Sequence, residues 1–338
     1  MKLKSMSRAA AVVAVAAIAG AAALPAVAQG DHPARHRDDG DHGGAHAHLP
    51  TTYTLPGNAL FPEGMGYDRR TGDFYTGSVT DGTIVRGNVL NPQAQVFSPA
   101  GADGRTSALG MRTDRTRLYV AGGATGTVWV YDKSTGTFIT KLSNGLPSTG
   151  TTLNDLAVTS SGVYVTDSLS PTLWRIAPGP DGKLTMEKWL DFTGTAFQYT
   201  TGYNADGIQE TPDERFLIVG ALNTGKLYRI DIASKAVVEI DTGGADLTNA
   251  DGIELVGDDL YVARNANNQI VKLDLADDWA SGAVDTITTS PRFDFTAAIA
   301  AVGSRLLVLN SQFEHLGLGG GTPTPPTLPF TIASIRRP

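Results

Sequence analysis

The chain has 338 residues, with 34 acidic against 27 basic side chains and a formal charge of -7. That balance disfavours nucleic acid as a partner, because binding to phosphates needs a basic surface. There is no cysteine, so no disulfide can hold the fold, which depends on its core and on any metal that it binds.

Residues 1–28 have the pattern of a secretory signal peptide. Lys2, Lys4 and Arg8 form a basic start, an Ala/Val-rich stretch follows, and Ala26-Val27-Ala28 matches a cleavage site. A retained membrane anchor is the alternative, but this stretch is only weakly hydrophobic and ends in small residues. We therefore expect a secreted protein with no stable membrane anchor and a mature charge of about -10.

Residues 29–50 are polar and contain five of the six histidines. Few apolar residues are available to offset the entropy of ordering this segment, so we predict a disordered leader. The histidines could act as a loose transition-metal scavenger. The alternative is a solvated spacer, since the histidine spacings fit no defined metal site.

From Thr51 onwards, short β-branched and aromatic runs alternate with turn residues, which is a strand pattern. A candidate inner strand followed by a second strand recurs at intervals of 46, 45, 52, 45 and 46 residues. One position in each inner strand, here called the central position, is occupied in turn by Glu63, Leu109, Asn154, Asp206, Asp251 and Ala297. A period of this length with several short strands per unit is typical of a propeller blade. We predict an all-β, six-bladed β-propeller over residues 51–338.

The sixth repeat contains only three candidate strands before the sequence ends at Pro338. The segment Thr51–Leu55 is a candidate strand that belongs to no other repeat. We predict that this N-terminal strand completes the sixth blade and closes the ring, which would remove the exposed edges of an open array.

If the inner strands converge on one channel, four oxygen-bearing side chains meet there: Glu63, Asn154, Asp206 and Asp251. Ca²⁺ binds six to eight such oxygens and tolerates uneven geometry, whereas Zn²⁺ and Cu²⁺ favour His or Cys. The alternative is that these residues are turn-forming positions solvated by water in the channel. Four of six repeats with an oxygen ligand favour a site for Ca²⁺ or another divalent cation.

Three inner-strand motifs resemble the six-bladed propeller family of gluconolactonases, senescence marker protein (regucalcin), diisopropylfluorophosphatase and paraoxonases. These motifs are Phe61-Pro62-Glu63-Gly64, Leu153-Asn154-Asp155-Leu156-Ala157-Val158 and Ala250-Asp251-Gly252-Ile253. The resemblance covers about residues 51–338. It implies a catalytic Ca²⁺ or similar ion on the propeller axis, and hydrolysis of lactones or organophosphates.

The sequence also departs from this family. The fourth-blade ligand is usually Asn before Gly, whereas Asp206 precedes Gly207 here, and Asn204 is a competing ligand. The paraoxonase histidine pair is not recognisable, and His315 is the only histidine in the repeats. Glu254 falls where the phosphatase has a ligand to a second, structural Ca²⁺.

These observations favour a secreted, divalent-cation-dependent hydrolase that acts on lactones or related esters as a monomer. Asp251 is the candidate catalytic residue, as a general base on water or as a nucleophile. Candidate substrate-binding residues are Arg264, Asn265, Asn204 and Asn310, and candidate apolar walls are Phe61, Phe197 and Tyr199. The alternative is a non-catalytic propeller that binds a ligand or protein partner on its loop face.

Overall fold

Short β-strands account for nearly all the regular structure in residues 49–317 and 322–338, which are the residues that this computed structural model describes. The prediction of an all-β fold is therefore confirmed. The predicted signal peptide and almost all of the predicted leader lie outside the described residues. Within them, no helix is long and apolar enough to cross a membrane.

The strands follow one another in groups of four, after a short first strand, β1 (Thr52–Thr54). The first group contains β2 (Pro62–Asp68), β3 (Asp73–Ser78), β4 (Ile84–Asn88) and β5 (Asn91–Ser98). The second contains β6 (Met111–Thr113), β7 (Arg117–Ala121), β8 (Thr127–Asp132) and β9 (Phe138–Ser143). The third contains β10 (Leu153–Thr159), β11 (Gly162–Asp167), β12 (Thr172–Pro178) and β13 (Leu184–Asp191).

The second half of the chain repeats this organisation. The fourth group contains β14 (Ala205–Glu210), β15 (Phe216–Ala221), β16 (Leu227–Asp231) and β17 (Val237–Glu239). The fifth contains β18 (Ala250–Val256), β19 (Asp259–Arg264), β20 (Gln269–Leu275) and β21 (Gly282–Thr289). The last strands are β22 (Thr296–Val302), β23 (Arg305–Asn310) and β24 (Thr331–Arg336). Short 3-10 helices cover Ala102–Gly104, Asn265–Asn267 and Phe313–Leu316.

Groups two to five each form a four-stranded antiparallel sheet. The remaining strands form one eight-stranded sheet in the order β2-β3-β4-β5-β1-β24-β23-β22. Strand β1 joins its two halves, because it pairs with β24 in antiparallel register, Tyr53 opposite Ile332, and touches β5 through Thr54 and Gln93. The segment predicted to complete the last repeat therefore lies beside its third strand.

The first strand of each group contacts the first strand of the next. The contacts run in the order β2, β6, β10, β14, β18 and β22, and then return to β2. Small residues permit this close approach: a Cβ on Gly64 would lie 2.4 Å from the Cα of Gly110, and a Cβ on Gly207 would lie 2.5 Å from the Asp251 carbonyl oxygen. The six central positions are thereby brought towards one axis.

The apolar core lies between neighbouring sheets, as clusters of buried aliphatic and aromatic side chains. One cluster contains the loop that precedes β14, where Phe197 stacks on Tyr228 with ring centroids 4.1 Å apart. Phe197 and Phe61 are both buried in such clusters, and Tyr199 packs against Phe197. The three residues predicted to wall the central site instead contribute to the packing between sheets.

Candidate metal centre

A β-bulge lies at the central position of five of the inner strands. In the β18–β19 pair, the register shifts between Ala250 and Ile253, so that Asp251 and Gly252 together face Ala263. Equivalent shifts occur at Glu63, Asn154, Asp206 and Ala297. Because a bulge bends the strand and re-aims a side chain, it turns the central residue out of the regular pleat.

The chain enters several of these strands through a left-handed residue. Phe61, Asn249 and Phe295 lie two residues before a central position and have φ angles of 41°, 69° and 55°. Such angles are uncommon for residues other than glycine. Each one bends the incoming loop immediately before the bulge.

Glu63, Asp206 and Asp251 meet at the axis, with one carboxylate oxygen of each within 4.8 Å of the others. All three side chains belong to residues that are less than 10% exposed. Together with Asn154 they line a small central cavity of about 10 Å³, which is the room that one water-sized sphere needs. The four predicted metal ligands are thus brought together at the start of the inner strands.

Asn154 is oriented by two neighbours. Its Nδ2 donates to Asp206 Oδ2 at 2.9 Å and to Ser168 Oγ at 3.0 Å. Ser168 Oγ in turn donates to the Ala205 carbonyl at 2.8 Å. These bonds use the amide nitrogen of Asn154, and its buried Oδ1 has no hydrogen-bond partner among the described residues. A buried carbonyl oxygen without a donor is costly, and coordination of an ion is one way in which such an oxygen is satisfied.

Asn265 holds the carboxylate of Asp251. Its Nδ2 donates to Asp251 Oδ2 at 2.7 Å, and its Oδ1 accepts the backbone N–H of Ala266 at 2.5 Å. Asn265 was predicted to contact substrate. In the structure it fixes the orientation of the candidate catalytic residue.

The carboxylates are poorly solvated, and this raises their affinity for protons. Burial, reinforced by the negative charges of Asp251 and Asp155, raises the pKa of Glu63 well above its usual value. Burial, with Asp251 and Glu63 nearby, does the same to the pKa of Asp206. Burial raises the pKa of Asp251 to about 7, although the hydrogen bond from Asn265 opposes the shift. Without a cation, the group therefore retains protons at neutral pH.

The donor set fits a hard divalent cation. It consists only of oxygen atoms, it includes three carboxylates that repel one another, and it includes the unpartnered Oδ1 of Asn154. Ca²⁺ prefers such oxygens, and its charge would relieve the repulsion. With a volume of about 10 Å³, the central cavity has room for one ion and not for a pair.

Three of the predicted substrate-binding residues do not reach this cavity. Arg264 donates to the Thr248 carbonyl and to Gln269 Oε1 at 3.0 Å, and to Asp246 Oδ2 at 2.8 Å. It lines a different cavity, between the loop after β17 and strand β21.

The side-chain amides of Asn204 and Asn310 form hydrogen bonds with the backbone of nearby loops. Asn204 Nδ2 donates to the carbonyls of Thr200 and Gly202, and its Oδ1 accepts the Thr200 N–H at 2.7 Å. It is therefore a loop anchor and not a competing metal ligand. Asn310 Oδ1 accepts the Asp294 N–H, and its Nδ2 donates to the Arg292 carbonyl at 2.9 Å.

His315 lies outside the carboxylate group. Its Nδ1 is 2.7 Å from Thr324 Oγ1, so the imidazole ties the last 3-10 helix to the following loop. This geometry supports a structural contact and gives His315 no part in the chemistry of Asp251.

Sequence reasoning missed the ion pair that closes the floor of the central cavity. Arg112 Nη2 bonds Asp155 Oδ2 at 3.0 Å, and Arg112 Nη1 donates to the carbonyls of Met65 and Met111 at 3.0 Å. A signal was present, since Asp155 occupies a position where the other repeats have Gly or Ala. Arg112 lies three residues after its central position. The equivalent residues of the other repeats are uncharged, except Glu254.

The close approach of β18 and β22 makes Gly252 a sensitive position. A Cβ there would lie 2.6 Å from the Ala297 carbonyl oxygen and 2.8 Å from the Ala298 Cα. We expect Gly252→Ala to lower the free energy of unfolding by about 1–3 kcal/mol, because the colliding atoms are backbone. It should also weaken cation binding, since Asp251 is the adjacent residue. Denaturant unfolding and calorimetry measure the two effects.

Gly220→Ala is the matched control. Its added Cβ would meet nothing closer than the Cγ2 of Ile253 at 3.7 Å, an ordinary contact. We expect its stability to stay within about 0.5 kcal/mol of the wild type or to increase slightly. Equal losses in the two variants would show that the inner strands are not held at the distance described.

The fold and site together define a class: an all-β protein of propeller type with buried carboxylates on its axis. No protein-family model matches the chain, and no curated protein matches it. Solved structures do. A luciferin-regenerating enzyme is similar at 12% identity and a TM-score of 0.60, covering 85% of this chain and 95% of its own.

Two further structures match to a comparable extent. The calcium-binding protein regucalcin of Agrobacterium tumefaciens has 14% identity and a TM-score of 0.59, covering 85% of this chain and 95% of its own. The major allergen Mala s 1 of Malassezia sympodialis has 16% identity and a TM-score of 0.60, covering 85% and 96%. At such identities the likeness shows the fold alone, that of a β-propeller.

Proposed function

We propose that the six groups of strands are six blades, and that β1 closes the ring as the outermost strand of the sixth. The ring of contacts among the inner strands supports this count. So does the sheet order, in which β1 follows β24 and the eight-stranded sheet divides into two sets of four. Regucalcin-like propellers are among the similar structures.

A pair of truncations tests the closure. A variant that begins at residue 51 should fold normally, because it keeps β1. A variant that begins at residue 57 removes the pairing of Tyr53 with Ile332 and the buried Tyr53 and Leu55, and exposes the edge of β24. We expect it to aggregate or to lose several kcal/mol of stability, as measured by gel filtration and thermal unfolding. Equal behaviour of the two variants would show that the ring closes without β1.

We infer that the protein is a secreted, divalent-cation-dependent hydrolase of lactones or related esters, of the gluconolactonase and paraoxonase type. The observation that carries this is the buried group of Glu63, Asp206 and Asp251, which lines one cavity with Asn154 and its unpartnered Oδ1. The structural similarity to a luciferin-regenerating enzyme and to the calcium-binding protein regucalcin supports a cation-dependent enzyme. Secretion rests on the signal-peptide pattern of residues 1–28.

When bound, the cation supplies Lewis-acid polarisation of the substrate carbonyl. Glu63, Asn154, Asp206 and Asp251 would hold it, and Asp155 with Arg112 closes the channel beneath. Asp251 takes a proton from water as the water oxygen bonds to the carbonyl carbon, and the proton passes to the leaving oxygen when the acyl C–O bond breaks. The pKa of about 7 applies to the cation-free carboxyl group. A bound cation would lower it, and Asp251 would then be a carboxylate able to accept a proton at neutral pH. Asn265 keeps the Asp251 carboxylate in place during these transfers.

The proposal is tested by hydrolysis of a panel of lactones and aryl esters, with Ca²⁺ and after chelation. We expect turnover of at least one lactone that is lost on chelation and restored when Ca²⁺ is returned. Cation binding without any turnover would overturn the hydrolase and favour the alternative, a propeller that only binds its ligand. Turnover that persists after chelation would show that the reaction does not require the cation.

A further inference from the structure

A second cavity lies at the opposite end of the inner strands from the carboxylate group. We call it the basal cavity; its volume is about 800 Å³, within the range of small-molecule sites. It forms where the inner strands end and turn, about 17 Å along β2 from Glu63 at the rise of an extended strand. Its wall includes Arg69, Arg70, Arg115, Glu210, Glu214 and Glu254.

Arg112 separates the two cavities. Arg112 lines both cavities, as does Met65. The Arg112 guanidinium bonds Asp155 and the carbonyls of Met65 and Met111. The basal cavity is therefore a compartment of its own, and its ligand need not meet the central carboxylates.

One side of the basal cavity is basic. Arg69, Arg70 and Arg115 are exposed in the turns that follow β2 and β6. Asp68 and Asp114 also line this side. Asp68 lies 2.6 Å from Lys133 Nζ and 3.7 Å from Arg70 Nε, and Asp114 lies 3.6 Å from Arg117 Nη1, so Lys133 and Arg117 offset the two aspartate charges. The three arginines therefore give this side a net positive charge.

The facing side is acidic. Glu210 and Glu214 belong to the β14–β15 region and Glu254 to β18, across the ring of inner strands from β2 and β6. Burial raises the pKa of Glu210 and Glu254, which shows that both carboxylates lack solvation. Glu254 accepts the Ala301 N–H at 3.0 Å and the Gln209 Nε2–H at 3.3 Å, and its Oε1 lies 3.8 Å from Arg69 Nη2, an ion-pair distance. Glu210 is therefore the less compensated carboxylate of the two.

We propose that the basal cavity binds a small zwitterion, with its ammonium against Glu210 and Glu254 and its carboxylate against the arginines. A simple anion would leave the acidic side uncompensated, and a simple amine would leave the basic side uncompensated. A molecule with both charges satisfies the two walls at once. Arg69 already lies 3.8 Å from Glu254, so the span to be bridged is the one between Arg115, after β6, and Glu210, at the end of β14. These strands are two apart in the ring of inner strands, so an amino acid with a spacer between its charges fits better than one whose charges are adjacent.

The test is isothermal titration of the full chain with glycine, 4-aminobutyrate and 6-aminohexanoate, beside butylamine and butyrate. We expect one of the longer amino acids to bind at least about tenfold more tightly than glycine, butylamine or butyrate, a difference of about 1.4 kcal/mol. Arg115→Gln and Glu210→Gln should each weaken that binding about tenfold. Arg175→Gln is the matched control, since Arg175 pairs with Glu187 on the outer strands β12 and β13.

Three results would overturn the proposal. The first is that butylamine or butyrate binds as tightly as any amino acid, and the second is that none of the panel binds. The third is that Arg115→Gln and Glu210→Gln bind like the Arg175→Gln control while retaining the wild-type melting temperature. Asp251→Asn should leave the binding unchanged, so failure of the proposed hydrolase would not count against this site.

Discussion

Calcium should raise the melting temperature of this protein, and by more at pH 8 than at pH 5. Burial raises the pKa of Glu63, Asp206 and Asp251 in the folded state, that of Asp251 to about 7. An acid whose folded pKa is raised contributes stability below its unfolded pKa and loses it as the pH rises through the folded value. The cation-free protein should therefore lose stability between about pH 4 and pH 8.

Cation binding reverses this dependence, because Ca²⁺ competes with protons for the same oxygens. At a hundredfold excess over its dissociation constant, a ligand that binds only the folded state stabilises by about 2.7 kcal/mol. Calorimetric melts with Ca²⁺ and with a chelator, at pH 5 and pH 8, measure both trends. If a protein shown by elemental analysis to carry Ca²⁺ melts unchanged on chelation, the carboxylate group is not a structural metal site.

Two substitutions test whether the Ca²⁺-dependent rise in melting temperature arises at the carboxylate group. Glu63→Gln removes one charged ligand and should reduce the Ca²⁺-dependent shift. Glu187→Gln changes a carboxylate that is 54% exposed on an outer strand, and it should leave the shift intact. A loss of the shift in both variants would point to cation binding spread over the surface.

The fold could be predicted from the sequence because the strand pattern repeats at a nearly constant period. Inner and second strands are buried on both faces, as the patterns of β3 and β22 show, so their apolar and small residues recur visibly. Outer strands such as β13, β17 and β21 are largely exposed. They were not identified, because each mixes apolar and polar residues without the buried run that marks an inner strand, and pairing with the preceding strand determines them.

The repeat period also predicted which residues form the candidate site, but not how their side chains are oriented. Spacing alone placed Glu63, Asn154, Asp206 and Asp251 in one row. It could not show the bulges that turn them inward, since a bulge depends on the register of two strands. Nor could it separate Asn265, which reaches Asp251, from Asn204, whose amide satisfies its own loop, because both are polar residues near a strand end.

Arg264 shows a further limit of sequence reasoning. It ends a second strand, a place from which a side chain could reach the axis. In the structure it is bound by Asp246, Gln269 and the Thr248 carbonyl. A long side chain follows its partners, and those partners are brought near it only by the fold.

Asp251→Asn should reduce turnover about 10²–10⁴-fold, the usual contribution of general acid–base catalysis. Asparagine retains an oxygen at nearly the same place but cannot take a proton. Cation affinity should fall less, because the number of oxygen ligands is preserved. Steady-state kinetics on the best lactone, together with Ca²⁺ titration of each variant, separates the loss of chemistry from the loss of binding.

Asp206→Asn is the comparison that makes this result informative. Asp206 lies in the same buried group, and one of its oxygens accepts the Asn154 amide at 2.9 Å. Asparagine at this position can still offer an oxygen to Asn154 and to the cation, so most of the turnover should survive. The reversed pattern, with Asp206→Asn inactive and Asp251→Asn near normal, would assign the proton transfer to Asp206. The cation site would then stand unchanged, and the role of Asn265 would be to hold a ligand instead of a base.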